Sequence, residues 1–307
     1  MISVITQKEI QNLNLCPETT EEWIVNSFLL KTSSDLPAKV VQVPFKGAFI
    51  TTMPCIIPDQ EVGGVKIVSR YPDRKPLVQS TINLFSLKTG QPIAFMDGSL
   101  ITNLRTGAAT AIAVKLLAKK NFKTIGFVGL GTVARFVMNS LLPIIKEKKI
   151  EINLFKYKNQ AEIFANEFSD SKRIKFNIIQ AEDKKNFIGS SDVIISCVTF
   201  ADKYFADERL FPKGILLVPV HTRGFQNCDK VFDRIFGDDT EHLKKFEYFN
   251  NFRYYDELVN VIKDESKGRQ NDCQRIISYN IGIALHDIYF AYQIYRMLES
   301  SSRKIFI

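Results

Sequence analysis

A short apolar run, Thr124-Ile-Gly-Phe-Val128, leads directly into Gly129-Leu130-Gly131-Thr132-Val133-Ala134, and a helical pattern follows to about Lys146. A strand that ends on a G-x-G-x-x-A turn and opens a helix is the start of a parallel βαβ unit. Each small residue has a reason. Gly129 permits the tight turn, Gly131 lets a pyrophosphate approach the backbone, and Ala134 lets the helix pack close to the strand. The helix N-terminus adds unpaired N–H groups and the positive end of the helix dipole. The segment therefore reads as a dinucleotide-binding loop; the competing reading is a tight turn without a ligand.

The pattern around this loop extends the constraint. After it, apolar runs at 152–157, 175–179, 192–197 and 214–220 alternate with a helical segment at 160–168 and further connections. Strands recurring with crossovers predict a doubly wound parallel sheet. The first 120 residues behave differently. Residues 7–32 read as helical, with Thr19-Thr20-Glu21-Glu22 as a capping box ahead of Trp23, Ile24, Phe28 and Leu29. From Lys39 the period becomes two, and segments 79–87 and 92–96 flank a turn at Lys88-Thr89-Gly90-Gln91, which predicts a mostly antiparallel sheet. An Ala-rich helix is expected over 99–120. Arg275–Leu298 reads as one long helix that returns to the first lobe. The expected fold is thus α/β: a doubly wound domain at 120–284, and a discontinuous α+β domain made of 1–119 and 285–307.

Length and composition agree with two cores. The chain has 307 residues, 45% of them apolar, and a single core stops growing near ~250–300 residues. Lys and Arg number 41 against 33 Asp and Glu, but the cations are scattered, which argues against a nucleic-acid partner. Five cysteines at 16, 55, 197, 228 and 273 form no Cys-x-x-Cys pair, as expected of reduced thiols. No basic-then-apolar leader opens the chain, and no apolar run reaches the ~18 residues that span a bilayer. A soluble cytoplasmic protein with no membrane partner is expected.

Four cations carry the rest of the reading. The second strand of a dinucleotide domain commonly ends in an acid that binds ribose hydroxyls; here Glu151-Ile-Asn-Leu-Phe-Lys156 ends in a lysine. Lys156 either pairs with a 2′-phosphate, favouring NADP(H) over NAD(H) or giving mixed use, or is a solvated strand end. Lys39 heads one strand, Lys66 sits inside the apolar strand Gly64-Val-Lys66-Ile-Val, and Arg105 lies near the start of the Ala-rich helix. Such cations are costly if buried unless an anion meets them. They either converge on a carboxylate and a phosphate or snorkel into solvent.

Met53-Pro54, Gly64-Val-Lys66-Ile-Val, Met96-Asp97-Gly98, Leu104-Arg105-Thr106-Gly-Ala-Ala, Gly129-Leu-Gly131, Gly268-Arg269 and Gly282-Ile-Ala284-Leu-His-Asp287 stand in this order and spacing. In them the chain resembles the ornithine cyclodeaminase/mu-crystallin family from about residue 36 to 298. The resemblance implies a Rossmann lobe, a dimerising substrate lobe, NAD(P) as cofactor, a small amino or imino acid as substrate, and a homodimer. Carried over by position, Lys66 would hold the substrate carboxylate with Lys39, which stands where an arginine is usual. Thr81, Arg105, Thr132, Val133, Thr199 and Asn280 would contact the cofactor, and Ile281 would line the substrate. No metal is implied.

One departure bears on the reaction. The family's cyclodeaminases carry an acid after the fifth strand of the nucleotide domain, and here the equivalent segment is Val218-Pro219-Val220-His221-Thr222-Arg223-Gly224, with His221 in that place. Histidine serves as acid or base near neutral pH, or it only hydrogen-bonds the cofactor or backbone. The leading expectation is an oxidoreductase interconverting an α-imino or α-keto acid and an amino acid, with Lys66 and His221 as its catalytic residues. The alternatives are ornithine cyclodeamination to proline and ammonia, and non-enzymatic binding of a small ligand as in mu-crystallin.

Overall fold

The computed structural model describes residues 1–169, 173–199, 201–220 and 224–305. The chain divides into two compact units, Met1–Arg105 with Gly282–Ile307, and Thr106–Ile281.

The first unit contains β1 (Ile2–Ile5), α1 (Gln7–Asn12), α2 (Pro17–Leu29), β2 (Val40–Gln42), β3 (Phe49–Ile57), β4 (Val62–Arg70), β5 (Val78–Ser86), β6 (Pro92–Asp97) and the start of α3 (Ser99–Leu117). Its strands form one sheet in the order β15-β1-β6-β5-β4-β3-β2, where β15 is Arg303–Ile305 near the far end of the chain. Pairing is antiparallel except for β1 with β6. The expected hairpin joins β5 to β6, with Gly90 in the left-handed region and its N–H donating to the Ser86 carbonyl.

Helical segment 7–32 is two helices, not one. Its capping box is Thr6 with Glu9: the Glu9 N–H donates to Thr6 Oγ1, and the Thr6 N–H to Glu9 Oε2. The Thr19–Glu22 set lies inside α2, which begins at Pro17. Proline at that place has a preset φ and no N–H to leave unpaired, and Thr20 instead donates back to the Pro17 carbonyl.

The second unit adds β7 (Thr124–Val128), α4 (Thr132–Ile145), β8 (Ile150–Phe155), α5 (Gln160–Glu167), β9 (Ile174–Ile179), α6 (Lys184–Gly189), β10 (Val193–Ser196), β11 (Leu216–Pro219), β12 (Arg234–Gly237), α7 (Thr240–Leu243), β13 (Tyr255–Glu257), α8 (Leu258–Ile262) and β14 (Ile276–Tyr279). Its eight strands are all parallel, in the order β13-β12-β14-β11-β10-β7-β8-β9. The chain winds outward from β7 to β9 and returns at β10, so the reversal falls between β7 and β10. The fold class is the α/β, doubly wound one expected.

Arg275–Leu298 is not a single helix. The buried run Ile276-Ile-Ser-Tyr279 is β14, Gly282 turns the chain at φ +79°, and α9 spans Ala284–Leu298. The apolar residues at helical spacing all lie from Ile283 onward, whereas the run before them has a strand's length and β-branched content. Helix α9 packs on β1, β3, β4, β5 and α2 in the first unit, where Trp23 meets Phe290 edge-on at 5.4 Å.

Candidate active site

Lys66 stands in β4 opposite Met53 of β3 and Ile82 of β5, and these three share the face that α9 covers. The strand is apolar, so the lysine has no solvent on that side and is fully buried. Its Nζ donates to Asp287 Oδ2 at 2.7 Å and to Thr102 Oγ1 at 3.2 Å. Asp287 Oδ1 accepts from Arg105 Nε at 3.0 Å. One carboxylate therefore holds two cations, with side chains 2% and 10% exposed for Lys66 and Arg105 and 0% for Asp287.

Burial pushes the Lys66 ammonium down to about 8, against the opposing pull of Asp287, and the charges of Arg105 and Lys39 push the same way. Burial works to raise Asp287, but Arg105 and Lys66 outweigh it and hold the carboxyl below the usual range. Arg105 is seated closely as well: a Cβ on Gly282 would lie 2.5 Å from its Nη1. Lys39, Lys66 and Arg105 are thus brought within electrostatic reach of one another.

The dinucleotide loop lies in the second unit, at the carboxyl end of β7. Gly129 adopts φ +81°, and a Cβ there would fall 2.9 Å from the Cys197 carbonyl carbon and the Val198 nitrogen, so the loop after β10 presses against it. Gly131 differs. A Cβ at Gly131 meets nothing within 4 Å, so among the described residues no neighbouring atom calls for glycine there, and they leave the space over it open to a phosphate. Ala134, in the first turn of α4, is fully buried on the helix's inner side. These features fit a pyrophosphate over Gly131 and the first turn of α4, where Thr132 is exposed and Val133 half-buried.

The remaining candidates are scattered around these two centres. Lys156 follows β8 and pairs with Glu162 of α5 at 2.6 Å. Thr199 is exposed in the loop after β10. Asn280 is buried just beyond β14, its Nδ2 donating to Thr110 Oγ1 at 3.3 Å, and Ile281 packs against the aromatic core of the second unit. Thr81 does not join Lys66: it sits opposite Ile67 in the ladder, on the other face of the sheet, and the residue on the Lys66 side is Ser80, which approaches Thr102 Oγ1 at 3.4 Å. His221, with Thr222 and Arg223, lies outside the described residues. Among the described residues no group of His, Cys, Asp or Glu is placed to hold a metal ion, and no helix is long and apolar enough to cross a membrane.

Sequence reasoning assigned Asp287 no role, although it stood in a motif that the reading used. The signal was present: a carboxylate among Leu285, Ile288 and Ala291, on a helix face otherwise apolar. A buried acid of this kind requires cations, and two were in hand.

The profile of the ornithine cyclodeaminase/mu-crystallin family matches residues 3–302. A Δ1-pyrroline-2-carboxylate reductase of Bacillus cereus is 27% identical over 270 residues, 80% of this chain and 81% of that protein. N-((2S)-2-amino-2-carboxyethyl)-L-glutamate dehydrogenase of Staphylococcus aureus is 29% identical over 228 residues, 70% and 67% of the two chains. Among solved structures, Thermococcus litoralis Δ1-pyrroline-2-carboxylate reductase, in complex with NADH and L-proline, superposes with a TM-score of 0.85 over 99% of this chain and 100% of that one, at 22% identity, a likeness of fold. The profile match runs through both units and takes in β1, the strand pair around Lys66, the glycine loop and α9: the chain belongs to the ornithine cyclodeaminase/mu-crystallin family.

Proposed function

We propose that the protein is an NAD(P)-dependent oxidoreductase that interconverts an α-imino acid, or an α-keto acid plus an amine with loss of water, and the corresponding amino acid. The observation that carries the substrate class is the sharing of Asp287 by two buried cations, Lys66 and Arg105, with Lys39 in electrostatic reach. Positive charge in excess of its carboxylate, held in a desolvated setting, favours an incoming carboxylate. The relatives named for the reduction of Δ1-pyrroline-2-carboxylate, a cyclic imine bearing a carboxylate, support the same class.

In this reading Lys66 and Lys39 bind the substrate carboxylate, and Arg105 serves the coenzyme phosphates from its seat on Gly282. Gly129, Gly131, Thr132 and Val133 hold the pyrophosphate, while Thr199, Asn280 and Ile281 border the nicotinamide and the substrate. A nicotinamide coenzyme bound there would supply the hydride for the imine carbon, or accept one from the amino acid in the reverse direction. His221 carries the accompanying proton. Fixing the carboxylate sets the position of the reacting carbon, which is where such a site gains most. Thr81 belongs to this reading only through the resemblance, since its ladder position turns it from Lys66.

Lys156 tips coenzyme choice towards NADP(H), moderated by its pairing with Glu162. A homodimer is proposed from the sheet face opposite α9, where Ile56 of β3, Ile67 of β4 and Phe95 of β6 are 40%, 39% and 43% exposed. All five cysteines are free thiols, which supports a cytoplasmic setting.

The test is nicotinamide absorbance with NADH and NADPH against cyclic imino acids, including Δ1-pyrroline-2-carboxylate, and against keto acids with amines. Coenzyme oxidation with at least one of them is expected. Conversion of ornithine to proline and ammonia, with no reduction of any imine, would replace this reading with cyclodeamination. Binding without turnover would replace it with ligand carriage.

A further inference from the structure

Arg135 lies in the first turns of α4 and belongs to none of the readings above. Its Nη1 donates to two carbonyls of the glycine loop, Leu130 O at 2.9 Å and Gly131 O at 3.2 Å. Its Nε donates to Glu167 Oε2 of α5 at 2.6 Å, and the guanidinium carbon stands 5.8 Å from the centre of the Phe164 ring. The arginine therefore joins the glycine loop to a second helix through three hydrogen bonds.

The peptide unit gives these bonds a consequence. In a planar trans peptide, the N–H of one residue points opposite to the C=O of the residue before it. With the carbonyls of Leu130 and Gly131 drawn to Arg135, the N–H groups of Gly131 and Thr132 point away from it. These are amides that a pyrophosphate over Gly131 would meet. A free loop could rotate either peptide and turn a carbonyl oxygen towards the phosphate, which would repel it. Glu167 holds the guanidinium by a charge-assisted bond, so the loop is referred to α5 and not only to its own helix.

We propose that Arg135 is the positioning residue of the pyrophosphate loop: anchored by Glu167, it fixes the peptides 130–131 and 131–132 with their N–H groups presented to the coenzyme. This rests on the coenzyme reading above. It acts on the pyrophosphate, which NADH and NADPH share, and so differs from Lys156, which acts on the 2′-phosphate alone.

Equilibrium binding of NADH and of NADPH, read from nicotinamide fluorescence, is measured for the wild type and for Arg135→Ala, Arg135→Lys and Glu167→Gln. Arg135→Ala is expected to weaken both coenzymes about tenfold and by equal factors. The melting temperature of the coenzyme-free protein should move by no more than about 2 °C, as expected where a partly exposed side chain is removed. Arg135→Lys, which can reach one carbonyl but lacks the fork, should recover part of the affinity, and Glu167→Gln should fall between. If Arg135→Ala does not fold, the equal weakening is read from Glu167→Gln and Arg135→Lys. Wild-type affinity in the variants, or a loss confined to NADPH, overturns the proposal while leaving the coenzyme reading in place. A wild type that binds neither coenzyme removes both.

Discussion

The face of β4 under α9 and the loop after β7 prepare for anions in opposite ways. Around Lys66 the charges are full, buried and already engaged: Asp287 occupies both cations, and the cost of desolvating them is offset within the protein. Over Gly131 the described residues leave open space, and the loop offers backbone dipoles held from behind by the partly exposed Arg135. The first arrangement is strong and intolerant of loss, since removing one partner strands the other. The second is stable without its ligand and is sensitive to bulk instead of charge.

The sharpest way to break this contrast is Asp287→Asn. Two buried cations would lose their shared carboxylate, and a fall of about 3–5 kcal/mol in the unfolding free energy of the first unit is expected from denaturant titration. A fall below ~1 kcal/mol would mean that the array is hydrated and not a buried network.

Lys66→Ala follows. Truncating one partner of a desolvated pair costs ~2–5 kcal/mol, so kcat/KM for the substrate should drop by more than about thirtyfold while coenzyme affinity stays near that of the wild type. Because burial lowers Lys66 to about 8, the lysine is charged below that pH and neutral above it. Substrate KM should accordingly rise as the pH passes upward through about 8, and in Lys66→Ala that rise should vanish.

Gly131→Ala tests the other side. The added methyl meets no neighbour among the described residues, so the coenzyme-free protein should lose no more than the ~1 kcal/mol of an alanine at a helix N-cap, yet coenzyme binding should weaken because the methyl occupies the phosphate's approach. Unchanged binding would move the pyrophosphate away from this loop. The smallest effect is expected at Lys156→Asp. Lys156 is a half-exposed lysine in an ion pair with Glu162, and it should shift the NADPH-to-NADH preference by only about fivefold towards NADH. Equal affinities that the substitution leaves unchanged would reduce Lys156 to a surface residue.

What could be read in the sequence was what is local. The β7–loop–α4 unit shows itself because turn, phosphate approach and helix packing each demand a small residue within six positions. Arg105 and Lys66 showed themselves as cations in apolar surroundings. Their partner did not, because Asp287 lies 221 residues from Lys66 in the chain and its helix reads equally well as plain core. The merging of β14 into the last helix arose because a four-residue buried strand and a helix segment look alike in an apolar run; only the positive φ at Gly282 separates them.

The route of the chain through the first unit sets an order of assembly. Thr106–Ile281 is continuous and can close its sheet from its own residues, whereas the first unit is completed only when α9 and β15 arrive after that whole stretch has been made. Bringing the two parts together closes a long loop, which slows folding more than it weakens the product. Until then Lys66 and Arg105 lack Asp287, and the apolar face around them lies open. Between synthesis of β6 and docking of α9, the sheet of the first unit therefore stands without the helix that covers it.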